Sequence, residues 1–137
     1  MTESYRRRIS ALLAGLVALD ATLTVVAFGF PQLWFDVFHG EPYVDPQGLL
    51  KRTAASWLAF AACQALALFR WRSSPYLLVL VAGARFGDVL TDWTYVGVSH
   101  QLTPIGKVLL LSASPMNLVA GLVLLAAYRS AIEAGKS

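Results

Sequence analysis

The chain has 137 residues, 57% of them hydrophobic and only 14% charged, with a mean hydropathy of +0.59. Soluble domains carry about a quarter charged residues, and a chain this short cannot hide so much apolar surface in one core, so an ordinary water-soluble domain is excluded and lipid is the expected solvent. The net charge of +3 sits at the ends of apolar runs and not on a basic face interleaved with aromatics, which argues against a nucleic-acid partner; the single cysteine rules out an intramolecular disulfide and a cysteine-rich metal site. Cys63, inside an apolar run, is expected as a packed thiol.

A span needs about 20 mostly apolar residues to cross a hydrocarbon layer of about 30 Å. Four segments qualify: 9–30, 49–69, 76–98 and 107–128. The first follows Arg6-Arg7-Arg8 and stops at Pro31; its length and the interrupting Asp20 favour a retained span over a cleaved leader. The connection from Pro31 to Gly48 carries Leu33, Trp34, Phe35, Val37 and Phe38, so a short helix lying in the membrane interface is expected there, either as an anchor or as a lid over a cavity. Ser73-Ser74-Pro75 leaves room only for a tight turn between the second and third spans. The expected fold is all-α: one antiparallel four-helix transmembrane bundle with a short interfacial segment between its first two spans.

Basic residues set the orientation. Arg6, Arg7, Arg8, Arg70, Arg72, Arg129 and Lys136 lie on the side of the termini, against Lys51, Arg52 and Lys107 on the other, which predicts both termini in the cytoplasm and a place in the inner (plasma) membrane.

Ionisable residues within a span are costly unless they face the bundle interior and find partners. Depth, counted at about 1.5 Å per residue, puts Asp20, Arg85, Asp88 and Asn117 near the midplane, with Asp92 and Arg52 closer to the outer side. Arg85, Asp88 and Asp92 follow i, i+3, i+7 spacing and stack on one helix face. Arg85 is expected to pair with Asp88 and, across the bundle, with Asp20; Arg52 is expected opposite Asp92. Two arginines against three carboxylates leave one negative charge in excess, so Asp20 or Asp88 is expected to be protonated, or to bind a cation or cationic ligand, at neutral pH.

The bland reading of these residues is helix fastening; the functional one is a polar pocket open to the outer side, held by Asp20, Arg52, Trp57, Arg85, Asp88, Asp92 and Asn117. Trp93 and Tyr95 are expected as pocket lining or as interfacial anchors. Pro115 frees a backbone carbonyl in mid-span, and Ser112, Ser114 and Asn117 are placed to satisfy it or to wall the pocket. Alanines and Ser56 on the second span permit close helix approach, and Gln64 is expected as an interhelical hydrogen-bond donor. His39 and His100 lack zinc-ligand spacing, so no metal role is expected, and no phosphate loop, dinucleotide fingerprint or nucleophile elbow is present.

The plan of four spans, with the run Arg52-Thr53-Ala54-Ala55-Ser56-Trp57 opening the second and Gly83-Ala84-Arg85-Phe86-Gly87-Asp88 in the third, resembles the small DoxX-like bacterial membrane proteins. That resemblance implies association with quinone-linked redox complexes. Three functions are therefore carried forward: a binding or accessory subunit holding a quinone, a lipid or another amphipathic ligand, or docking to a larger membrane complex; an oligomeric transporter exchanging protons at Asp20 or Asp88; and, least favoured, an enzyme using Asp88 or Asp92 as acid or base.

Overall fold

The computed structural model describes residues 2–99 and 101–135, so the expectations made at His100 and Lys136 fall outside the described residues. Five helices follow in chain order, with no strand among the described residues: α1 (Glu3–Gly29), α2 (Pro31–Phe38), α3 (Leu49–Arg70), α4 (Tyr76–Val98) and α5 (Pro104–Ala134).

Local chemistry sets each boundary. Thr2 caps α1 by accepting from the Tyr5 amide. The helix ends at Gly29 because Phe30, which precedes a proline, is driven out of the helical region (φ −134°, ψ 53°), and Pro31 then occupies the first turn of α2, where no amide is needed. That helix stops where Gly40 adopts φ 67°, with the His39 and Gly40 amides both donating to the Phe35 carbonyl. Asp45 opens α3, its two carboxylate oxygens accepting from the Leu49 and Leu50 amides at 2.8 and 2.9 Å. Thr103 caps α5 and Pro104 follows it.

The long helices meet along narrow seams. Contacts at Ser10/Trp71, Asp20/Gln64 and Thr24/Ala54 run α1 antiparallel to α3; Arg85/Asn117, Phe86/Gly121 and Asp92/Ser114 do the same for α4 and α5. Ala54, Ala61 and Ala67 bring α3 close to its neighbours, as small residues should. Ser56 does not share that role: it is exposed and gives its hydroxyl to the Arg52 carbonyl. At Gly121 an added Cβ would lie 2.5 Å from the Phe86 ring, so the α4–α5 contact depends on the missing side chain.

Two apolar clusters result. The larger, near the α3–α4 turn, is built on Ile9, Leu13, Trp71, Leu78, Val81 and Leu124. A smaller one, at the opposite end, consists of Ala27, Leu50 and Ala54, covered by Trp34, Phe35, Tyr43 and Trp57. Between them lies the polar cluster.

Three helices, α1, α3 and α5, are long and apolar enough to cross a membrane. At 23 residues α4 is also long enough, but any 18-residue stretch of it holds the three charges Arg85, Asp88 and Asp92. The outward faces are richly apolar, with Phe69 82% and Met116 71% exposed, which marks a surface made for lipid or for other protein. Cys63 lies on such a face; it is exposed, contrary to the packed thiol expected from its apolar neighbours, because its turn of α3 buries Ala61 and Gln64 instead.

Two expected spans also prove longer. The helix expected over 9–30 begins at Glu3, and the one expected over 107–128 runs from Pro104 to Ala134, about 46 Å at 1.5 Å per residue, since nothing between Thr103 and Gly135 caps or breaks it. Pro115 lies inside that continuous helix.

Candidate functional site

Each long helix buries a stripe along one face, and each stripe carries at least one group able to bond across the interior. In α1 the stripe reads Ile9, Leu13, Leu16, Asp20, Thr24, Ala27; in α4 it is Leu77, Leu78, Val81, Ala82, Arg85. Gln64 occupies the same kind of place in α3, and Asn117, beside Ser114, in α5. Packing the apolar stripes together therefore forces Asp20, Gln64, Arg85 and Asn117 to meet.

They meet around one guanidinium. Arg85 Nη2 donates to Asp20 Oδ2 at 2.7 Å while Nη1 reaches Oδ1 at 3.3 Å, a two-pronged ion pair between residues each only 1% exposed. Nη2 also lies 3.0 Å from Asp88 Oδ2, and Nη1 donates to Asn117 Oδ1 at 3.4 Å. Gln64 Nε2 donates to Asp20 Oδ2 at 2.7 Å, confirming the interhelical donor expected there. The Phe60 ring lies 5.8 Å from the Arg85 carbon. A charge out of water is tolerable only when so surrounded. Even so, Arg85 Nε and Gln64 Oε1 are buried without a partner among the described residues.

One turn further along α4, Asp92 accepts from the Ser114 hydroxyl at 3.4 Å. Arg52, expected opposite Asp92, is exposed and forms no ion pair among the described residues. The reason is rotational: α3 turns Ala54 inward, and a residue two positions earlier lies about 200° round the helix. Without Arg52, three carboxylates answer one guanidinium, a formal excess of two negative charges in place of the one expected.

Asp20, Arg85, Asp88, Asp92 and Asn117 form the floor of a cavity of about 400 Å³. Its walls are apolar, supplied by Leu19, Leu23 and Val26 of α1 and Leu109, Leu110 and Ala113 of α5, with Trp57 of α3. The side of α2 that carries Leu33, Trp34, Val37 and Phe38 closes over it. Six of the seven residues expected in a pocket are thus brought together, Arg52 being the exception. The sequence offered the segment of α2 as a lid and Ser112, Ser114 and Asn117 of α5 as a wall, but the apolar lining residues of either helix were not named; for α2 the signal available was the i, i+3, i+4 spacing of Trp34, Val37 and Phe38.

The α2 cover is held on both flanks. Trp34 stacks on Phe38, with centroids 4.3 Å apart, and tilts against Trp57 at 5.1 Å. The Thr103 amide donates to the Phe38 carbonyl at 2.9 Å, and the Thr103 hydroxyl donates to the Val37 carbonyl. His39 Nδ1 faces the Gln101 carbonyl at 3.0 Å, so that nitrogen carries the proton, and Nε2 then accepts from the Tyr95 hydroxyl at 2.6 Å. Tyr95 is therefore a latch on the cover, whereas Trp93 is 65% exposed and lines no part of the cavity. Of the polar groups near Pro115, Ser114 and Asn117 turn toward the acidic floor, and Ser112, on the exposed side, bonds the Leu109 carbonyl.

Comparisons of the chain with protein-family models, with curated proteins and with solved structures return no match.

Proposed function

We propose that the chain is a four-helix protein of the inner membrane, both termini in the cytoplasm, that holds an amphipathic ligand in a cavity on its outer side as a binding or accessory subunit. On this reading α4 is the fourth span: Arg85, Asp88 and Asp92 face partners or the cavity, which is how a charged helix is accommodated in lipid. α2 lies along the outer interface, and the seven basic residues of the opposite side anchor the cytoplasmic ends.

The observation that carries the proposal is the asymmetry of the interior. Toward α2 the helices part around a cavity with apolar walls and a charged floor, the usual build of a small-molecule site. Toward the α3–α4 turn the same helices close on Leu13, Trp71, Leu78, Val81 and Leu124, none more than 2% exposed. A ligand entering from the outer leaflet would rest its polar end on the floor and its tail along α1 and α5. A transporter would need a path through that closed layer, and this favours binding over proton-coupled exchange at Asp20 or Asp88.

Native mass spectrometry of the protein extracted from its own membrane tests the proposal. The wild type is expected to carry an amphiphile that is absent from Ala113→Phe, in which the added ring fills the cavity. A wild type with no bound amphiphile, or a variant that retains it equally, overturns the reading.

A further inference from the structure

The identity of the groups left free in the cavity limits the ligand's head more narrowly than its shape does. Arg85 is the only basic residue among the described residues that line it. Its guanidinium is already turned to Asp20, Asp88 and Asn117. An anionic head would find no uncommitted cation there and would face carboxylates. Asp88 and Asp92, by contrast, are each bonded through one oxygen, Oδ2, by Arg85 and Ser114 respectively. Each carboxylate has lone pairs left on its other oxygen, and these require donors or positive charge. Trp34 and Trp57, in tilted contact at 5.1 Å, also line the chamber, and tryptophan rings attract ammonium groups, quaternary ones included.

We propose that the ligand is a lipophilic cation, an amine or quaternary ammonium with an apolar body, whose charged nitrogen is held between the Asp88–Asp92 edge of α4 and the Trp34–Trp57 pair. The inference rests on the cavity being a ligand site, as argued above, and adds the sign of the ligand's charge. The excess of two negative charges on the floor is the physical reason: a monocation entering the chamber halves it, whereas a neutral head leaves it and an anion increases it.

Binding of benzyltrimethylammonium and of its uncharged carbon isostere neopentylbenzene, measured by tryptophan fluorescence on the full chain in dodecyl maltoside, tests this. The two probes share shape and differ in charge. The wild type is expected to bind the cation at least tenfold more tightly than the isostere. Asp92→Asn, which can still accept from Ser114, is expected to remove most of that preference without weakening the isostere, and Trp57→Leu to weaken the cation more than the isostere. Equal affinity for the two probes in the wild type, or an unchanged preference in Asp92→Asn, overturns the cation assignment while leaving the cavity as a ligand site. Failure of both probes to bind, together with a wild type that extracts without any amphiphile, overturns the underlying reading as well.

Discussion

Arg85 and Asp20 join α4 to α1 through two parallel contacts, 2.7 and 3.3 Å long, in a part of the interior where each residue is only 1% exposed. Across 65 positions of sequence, this pair fixes the rotation of both helices at once. Removing Arg85 strands Asp20: Arg85→Met is expected to destabilise by about 3–5 kcal/mol, and the joint Asp20→Leu and Arg85→Met replacement to recover part of that loss, Asp88 being left without its cation. Asp20→Ala, which leaves Arg85 paired with Asp88, should cost less than Arg85→Met. Thermal unfolding of these variants in one detergent measures the differences, and a double variant no better than Arg85→Met would show that the pair does more than fill space.

Gln64 adds a second donor to the same carboxylate oxygen. Gln64→Leu should cost about 1–2 kcal/mol, a hydrogen bond to a charged group lost within an apolar seam. The same thermal measurement checks it, and Gln64→Glu, which sets a second carboxylate against Asp20, should be worse.

The α2 cover is latched by His39 and Tyr95. Tyr95→Phe and His39→Ala should each loosen it, His39→Ala the more because it also breaks the bond to the Gln101 carbonyl, and the two together should do little more than His39→Ala alone, because they share one bond of about 1 kcal/mol. The readout is the rate at which a thiol placed at Val37, a partly buried cavity-lining position of α2, is labelled, in a chain whose own Cys63 has been replaced by Ala.

Gly106 lies under the end of α2, where an added Cβ would sit 2.9 Å from the backbone of Phe38. Backbone cannot swing aside as a side chain can, so Gly106→Ala should push α2 off α5 at a cost of about 1–3 kcal/mol. Faster proteolysis of the segment between α2 and α3 would accompany it, whereas Gly15→Ala, with nothing within 4 Å, should leave both stability and cleavage unchanged.

Cys63 reports on the solvent of α3. If that face meets lipid, the exposed thiol should resist a charged methanethiosulfonate reagent in intact membranes yet accept a lipid-soluble one. Equal reaction with both would place the face in water.

Length, hydropathy and the breaks between helices were legible in the sequence, because they depend on neighbours along the chain: Pro31, Ser73-Ser74-Pro75 and Pro104 mark breaks, whereas the polar extensions that carry α1 back to Glu3 and α5 on to Ala134 lie outside the apolar runs and were missed. So was the i, i+3, i+7 stripe of Arg85, Asp88 and Asp92, which any α-helix would display. What the sequence could not decide was the rotation of one helix against another. Arg52 and Ala54 lie at nearly the same depth, and only the packing of small residues on α3 against α1 decides that Ala54 turns inward and Arg52 out. From that rotation follow the Asp92 carboxylate left without a cation, the chamber above it and the cover that α2 makes. The tertiary structure decided these, because each depends on contacts between elements far apart in the chain.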